Sequence, residues 1–273
     1  MHSPDAIPQH ALDRLKGLRG AGNPGGIFTS DFSVNEFLLV RKAGFEPVGL
    51  CVGSCIYHLG VQFGRWSKNE ELTTLSQAMY HARELAMTRM RAEAKDMGAD
   101  GVVGVRLEVK RLEWDEKVLE FVAIGTGIVH AQGHPGYRGP NGQPFTSDLS
   151  GQDFWTLLHA GYRPLELVMG SCVYHVAHRG LLSTLGSTMQ NVELTNFSQA
   201  LYDAREIAME RMQDEAHRAG AEGVVGVDLH EGNHGWGTHV IEFFAVGTAV
   251  MPIGAEIDPS TIPDPALVLS VNT

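Results

Sequence analysis

Long hydrophobic runs are missing from this 273-residue sequence: no stretch approaches the ~18 consecutive apolar residues that mark a membrane-spanning helix. Met1–Gly26 also lacks an apolar core of signal-peptide length. Cysteine is scarce. Cys51, Cys55 and Cys172 are an odd number and build no disulfide framework. They read as free thiols of a reducing compartment, and a cytoplasmic location is the expectation. Basic charge is in deficit, with 21 Lys and Arg against 32 Asp and Glu and a formal net charge of −11. That sign argues against electrostatic binding to nucleic acid or to an anionic membrane. No Ser-His-Asp set, phosphate loop or paired carboxylate stands out, so the chain is expected not to be an enzyme. What remains is 43% hydrophobic and 19% charged, a globular composition long enough for two domains with their own cores.

The sequence repeats itself. Phe28-Thr29-Ser30-Asp31 returns as Phe145-Thr146-Ser147-Asp148, and the offset of 117 holds through Gly53-Ser54-Cys55-x-Tyr57-His58 and Gly170-Ser171-Cys172-x-Tyr174-His175. Five extra residues after His175 change the offset to 122, which runs on to Val129 and Met251. Between Glu71–Val105 and Glu193–Val227, 23 of 35 positions are identical. The chain therefore divides into an N-terminal arm (1–27), module 1 (28–130), a Gly/Pro linker (131–144), module 2 (145–251) and a Pro-rich tail (252–273).

Each module opens with a short helix, announced by Ser33-x-x-Glu36 and Ser150-x-x-Asp153 at capping-box spacing and ended by Gly44 and Gly161. A strand follows, in which Val48, Leu50, Val52 and Ile56 are expected on one face and match Leu165, Leu167, Met169 and Val173. The opposite face, Cys51-Gly53-Cys55 and Val168-Gly170-Cys172, is expected to be the uncovered one. Next comes a long helix, about 74–97 and 196–219. Its stripe of Leu75, Met79, Ala82, Ala86, Met90, Ala94 and Met97 advances by threes and fours, and the second copy repeats it. Two further strands joined by a short connection complete the unit as an antiparallel hairpin. The fold class is α+β: a tandem duplication of a βαββ-type module, three antiparallel strands with one long helix, each copy preceded by a short helix.

Gly98-Ala-Asp-Gly-Val-Val-Gly-Val105 with its copy Gly220–Val227, the Ala-Arg-Glu-x-Ala run at Ala82–Ala86 and Ala204–Ala208, and the closing Gly125-Thr-Gly127 and Gly247-Thr-Ala249 carry a resemblance. Both modules resemble the YbjQ-like family of heavy-metal-binding domains. The resemblance implies a small sheet with one packed helix and a homo-oligomeric ring, a pentamer. It also directs attention to metal ligands. Exposed sheet edges and an uncovered face call for a partner on physical grounds too.

Cys55-x-x-His58 and Cys172-x-x-His175 are the thiol–imidazole pairs present in both copies, of the ligand type that suits zinc or copper. Each module offers two ligands where a closed site needs four, and residues three apart on a strand face opposite ways. The structural reading, a packed cysteine and a strand-end histidine, stands beside the metal one. His230-Glu231-Gly232-Asn233-His234 matches H-E-x-x-H but falls on a hairpin connection, where module 1 has Glu108-Val109-Lys110-Arg111-Leu112; the match is read as accidental. Trp114 and Trp236 occupy equivalent hairpin tips, as oligomer anchors or as platforms for a flat ligand.

Arg89/Glu93 and Arg211/Glu215 have the i,i+4 spacing of surface pairs and, with Arg83 and Arg205, read as solvated or interfacial charges. Ser76–Tyr80 and Ser198–Tyr202, both Ser-Gln-Ala-x-Tyr, open the long helix and serve its first turn or a neighbouring chain. Pro8–Arg19 is expected to form a basic amphipathic helix on Leu12, Leu15 and Leu18. The tail's apolar run, Ala266–Val271, offers a docking peptide. The functional expectation is a non-enzymatic ring-forming scaffold or small-ligand-binding protein, with heavy-metal binding or buffering through the Cys-x-x-His pairs as the alternative.

Overall fold

The computed structural model describes residues 9–18, 25–58, 68–112, 118–133, 135–139, 142–177, 195–232 and 239–254. Helix α1 (Gln9–Lys16) precedes module 1, which comprises α2 (Val34–Lys42), β1 (Phe45–His58), β2 (Glu70–Glu71), α3 (Thr73–Asp96), β3 (Gly101–Arg111) and β4 (Val118–His130). Module 2 follows with β5 (Phe145–Thr146), α4 (Gly151–His159), β6 (Tyr162–His175), α5 (Thr195–Arg218), β7 (Gly223–Gly232) and β8 (Val240–Pro252). In both, the hairpin's second strand lies centrally, antiparallel to its two neighbours. Even the register slips recur, at Pro47/Gly49 and Pro164/Glu166. The α+β duplication is the observed architecture. None of the described helices is long and apolar enough to cross a membrane.

The short helices start as their sequences predict. Ser33 and Glu36 form a reciprocal capping box, whereas the Ser150 hydroxyl caps the Asp153 amide and donates to the shorter Asp153 carboxylate. Gly44 and Gly161 leave these helices at φ 87° and 79°, a backbone that a side chain disfavours. On α3 the predicted stripe is buried along its whole length. Helix α1 forms as well, with Leu15 and Leu18 buried against module 1 and Arg14 donating to Glu93. The apolar run of the tail, 266–271, lies outside the described residues.

One expectation is reversed. The Gly/Cys face of the first strand is the face under the helix. A Cβ on Gly53 would sit 2.0 Å from the Ala86 carbonyl oxygen and 2.4 Å from the Met90 nitrogen, and Gly170 has the same relation to Ala208 and Met212. These glycines are small because helix backbone touches sheet backbone there. The register slip after Pro47 moves only Val48, which joins Cys51 and Cys55 on the helix side. The other face is the open one. On it Ile56 is 62% exposed, yet its counterpart Val173 is 0% exposed, covered by module 1.

The modules complete each other's sheets. Strand β5 of module 2 pairs in parallel with β3 of module 1, Phe145 opposite Gly101, giving the order β1-β4-β3-β5. Strand β2 of module 1 pairs antiparallel with β6, Glu70 opposite His175, giving β2-β6-β8-β7. The three-stranded sheets expected from sequence thus each gain a fourth, two-residue strand from the other copy. Phe45, Val103 and Ile128 meet Phe145 and Phe154 in a third, shared core. The linker closes over it: Tyr137 packs edge-on against Phe45, and Arg138 holds Asp100 at 2.6 Å.

The close approach at Gly53 generates a prediction. Gly53→Ala should destabilise the chain by about 1–3 kcal/mol or more, because overpacking here displaces backbone rather than a flexible side chain. Gly142→Ala is a poor control, being at φ 65°, but Gly139→Ala, with only a Gln143 carbonyl 3.7 Å away, should change the denaturation midpoint little.

Candidate functional site: the contact between modules

The most deeply buried charge in the described structure lies between the modules. Arg83 projects from α3 of module 1 into the sheet of module 2, where its side chain is 3% exposed and that of Glu242 is 2%. The guanidinium meets the carboxylate in fork fashion, at 2.6 Å and 3.2 Å. The Ser171 hydroxyl donates to the same carboxylate at 2.7 Å. Above, Arg83 lies 3.9 Å from the centre of the Phe244 ring and 5.9 Å from that of Phe121. A planar cation with five donors suits such a slot, because it satisfies a carboxylate and stacks on aromatics at once. Removing one member would strand the other without water.

Around this pair the first turns of α3 reach the same strand. The Leu72 amide donates to the Val173 carbonyl and the Val173 amide to the Ser76 hydroxyl, both at 2.8 Å. Tyr80 donates its phenol proton to Glu215 on α5. Burial, then that hydrogen bond, pushes the Tyr80 phenol well above its ordinary value, and burial raises the Glu215 carboxyl. Arg211 joins the Glu71 carboxylate, at 2.7 Å and 3.1 Å, to the Ser171 carbonyl at 2.6 Å. The Ser-Gln-Ala-x-Tyr motif therefore serves the neighbouring module: among the described contacts, the α3 N-cap receives no side-chain cap. The i,i+4 reading is replaced as well. Arg211 and Glu215 turn to separate partners, and Glu93 accepts from Arg14 and from the Val52 amide.

The thiol–imidazole pairs do not converge. Cys55 lies in the core of module 1 with its thiol donating to the Ala82 carbonyl at 3.2 Å, while His58 is exposed at the strand end on the other face. Cys172 is buried in the separate core of module 2, and His175 places Nδ1 3.2 Å from the Lys68 carbonyl. Burial pushes the Cys172 thiol up to about 12 and raises Cys51 and Cys55 too. Ligation needs donors gathered around one point, and within one chain the four side chains of the two pairs stand in separate surroundings. Among the described residues, no three His, Cys, Asp or Glu side chains gather as a metal site would require. His230 and Glu231 stand on strand β7, not on the helix that H-E-x-x-H chemistry needs. Trp114 and Trp236 lie outside the described residues, as does His234.

Sequence reasoning undervalued Arg83 and missed Glu242. A signal was available: Glu120 and Glu242 are lone charges inside otherwise apolar strands, and Arg83/Arg205 and Ser54/Ser171 are identical between copies.

Two α+β modules fused in tandem, each lending a two-residue strand to the other's sheet, define the class: a duplicated-module chain whose halves dock on one another. The chain belongs to the YbjQ_1 family, described as "Putative heavy-metal-binding", whose model matches residues 67–131 and 161–252. It is 47% identical over 237 residues to the encapsulin nanocompartment protein Rv1762c of Mycobacterium tuberculosis, covering 86% of this chain and 90% of that protein. UPF0145 proteins of Pseudothermotoga lettingae and Acinetobacter baylyi are each 34% identical, over 95 and 109 residues. Those matches take in 87% and 94% of the relatives but 33% and 39% of this chain, the span of one module.

Two tests follow from this geometry. Arg83→Met should cost about 3–5 kcal/mol in denaturant unfolding by stranding a buried carboxylate, and adding Glu242→Leu should recover much of it. Dialysed protein should carry substoichiometric zinc and copper, unchanged in the Cys55→Ser/Cys172→Ser variant; near one metal per chain, lost in that variant, would reverse the reading.

Proposed function

We propose that this protein is a non-enzymatic, self-assembling scaffold whose chains form a closed homo-oligomeric ring. The observation that carries this reading is the contact between modules. It spends a buried ion pair, two lent strands and a shared aromatic core on joining two copies of one unit. Such a surface is built for docking a homologous module, and module 1 carries an unfilled version of it around the exposed Ile56. The relative from Mycobacterium tuberculosis supports the reading, since it is named as an encapsulin nanocompartment protein. Family resemblance supplies the number, five chains and ten modules. A head-to-tail contact closes into a ring when its rotation divides a full turn, and otherwise runs on as a filament.

The expected outcome of multi-angle light scattering is a mass several times the single-chain 29.7 kDa, constant over a wide concentration range. A species that stays at one chain throughout would overturn the scaffold reading.

A further inference from the structure

The internal contact between modules is made of residue pairs, and most of its polar residues have an identical twin in the other copy, although Phe244 beneath Arg83 corresponds to Val122. Arg83 corresponds to Arg205, Tyr80 to Tyr202 and Ser76 to Ser198; on the receiving side Glu242 corresponds to Glu120, Ser171 to Ser54 and Glu215 to Glu93. The first set of twins lies on module 2 and the second on module 1, so one chain carries the two halves of a second contact on different modules. We infer that one copy docks on the next by repeating the contact between its own modules: helix α5 and the β7 edge of one chain receive the β1 face and residues 28–30 of another. This rests on the scaffold reading and names the surface that serves it.

Three observations carry the assignment. First, the receiving face on module 1 has the same strand register as its filled twin but is open at Ser54 and Ile56, while Glu93 is already held by Arg14. Val173 is fully buried under module 1, whereas Ile56 is 62% exposed. Ser171 is buried while Ser54 is exposed, and on the donating side Tyr202 is 58% exposed although Tyr80 is half-buried. A hydrophobic side chain held open at a position filled in its twin is a contact waiting for its partner.

Second, among the described residues no ring fills at the β7 edge the place that Phe145 fills at β3. On β3, a Cβ at Gly101 would collide with the Phe145 ring at 2.1 Å, because that ring lies across the glycine. At the twin position Gly223 the same Cβ meets only Val250 at 4.0 Å. Both are glycine, though only Gly101 has a ring to accommodate within the chain. The twin of Phe145 is Phe28, which stacks on Phe37 at 5.4 Å as Phe145 stacks on Phe154 at 5.8 Å. Thr29 likewise accepts from the Leu50 amide as Thr146 does from Leu167, so residues 28–30 are set against their own module in the manner of 145–147.

Third, the charges that differ between the copies differ in the sense a chain-to-chain contact requires. Helix α1 sits on module 1 with Leu18 against Gly49 and Met97. The twin place on module 2, around Glu166 and Ala219, is a cavity of about 570 Å³ bordered by Thr88, Arg91 and Ala92 of α3. In the proposed contact α5 replaces α3 beside this place, and α1 occupies it. The α3 residues Thr88, Arg91 and Ala92 become Glu210, Gln213 and Asp214 on α5, all exposed. An acidic helix face thus replaces a basic one where the basic α1, with Arg14 and Lys16, is the neighbour. Opposite charges across the contact fix direction and register.

Gly223 gives a test that separates docking from folding. Gly223→Leu adds a side chain where the single chain has room, so thermal unfolding monitored by circular dichroism should be little changed. Sedimentation velocity should show its mass falling to one chain, 29.7 kDa. Ile56→Arg, an exposed position on the opposite face, should do the same. Mixing the two variants should give a 1:1 pair of chains and stop there, since each retains the face the other has lost. Variants that keep the native oligomer's size, or that fail to pair on mixing, would overturn this surface. A native chain that is itself monomeric would instead sink the scaffold reading.

Discussion

An arginine taken out of water needs a carboxylate held against it, and the arrangement of this chain follows from that demand. Arg83 leaves its own helix for the sheet of the other module, where Glu242, Ser171 and Phe244 surround it. A pair so deeply desolvated contributes little net stability compared with an apolar contact of the same shape, but tolerates almost no displacement. It therefore fixes where module 1 sits on module 2. The lent strands then align Phe145 with Gly101 and Glu70 with His175, and the linker follows over the shared aromatic core.

Much of the fold was legible in the sequence because local signals agreed across two copies. The Ser33 and Ser150 caps, the alanine-rich stripe of α3 and the glycines after each helix state their structural roles through spacing alone. The face of the first strand was misread for a physical reason. A period-2 pattern identifies two faces, but says which is buried only if large apolar residues mark the inside. Here the inside is marked by Gly53 and Cys55, because the helix backbone approaches too closely for anything bulkier. The larger residues Val52 and Ile56 lie on the other side, where their counterparts Met169 and Val173 pack against module 1.

The candidate site was less legible, since its chemistry is shared between residues more than 150 positions apart. Glu120 and Glu242 each interrupt an apolar strand, and a lone charge there advertises a buried partner, but not which one. Cysteine and histidine drew attention through their ligand chemistry, yet the structure uses Cys55 and Cys172 as small core residues, and burial raises both thiols. The identity between copies that revealed the duplication also preserved the residues of the contact. What looked like inheritance of a fold was equally inheritance of a surface.

Helix α1 breaks the equivalence of the halves, for only module 1 carries it. In a relative one module long, every unit in an assembly is interchangeable. Here a peptide bond joins an arm-bearing unit to an armless one, so any array of these chains has a covalently enforced one-to-two stoichiometry. In any such array α1 would recur at every second unit, independent of concentration. Fusion in this sense turns a uniform lattice into a pattern with a period.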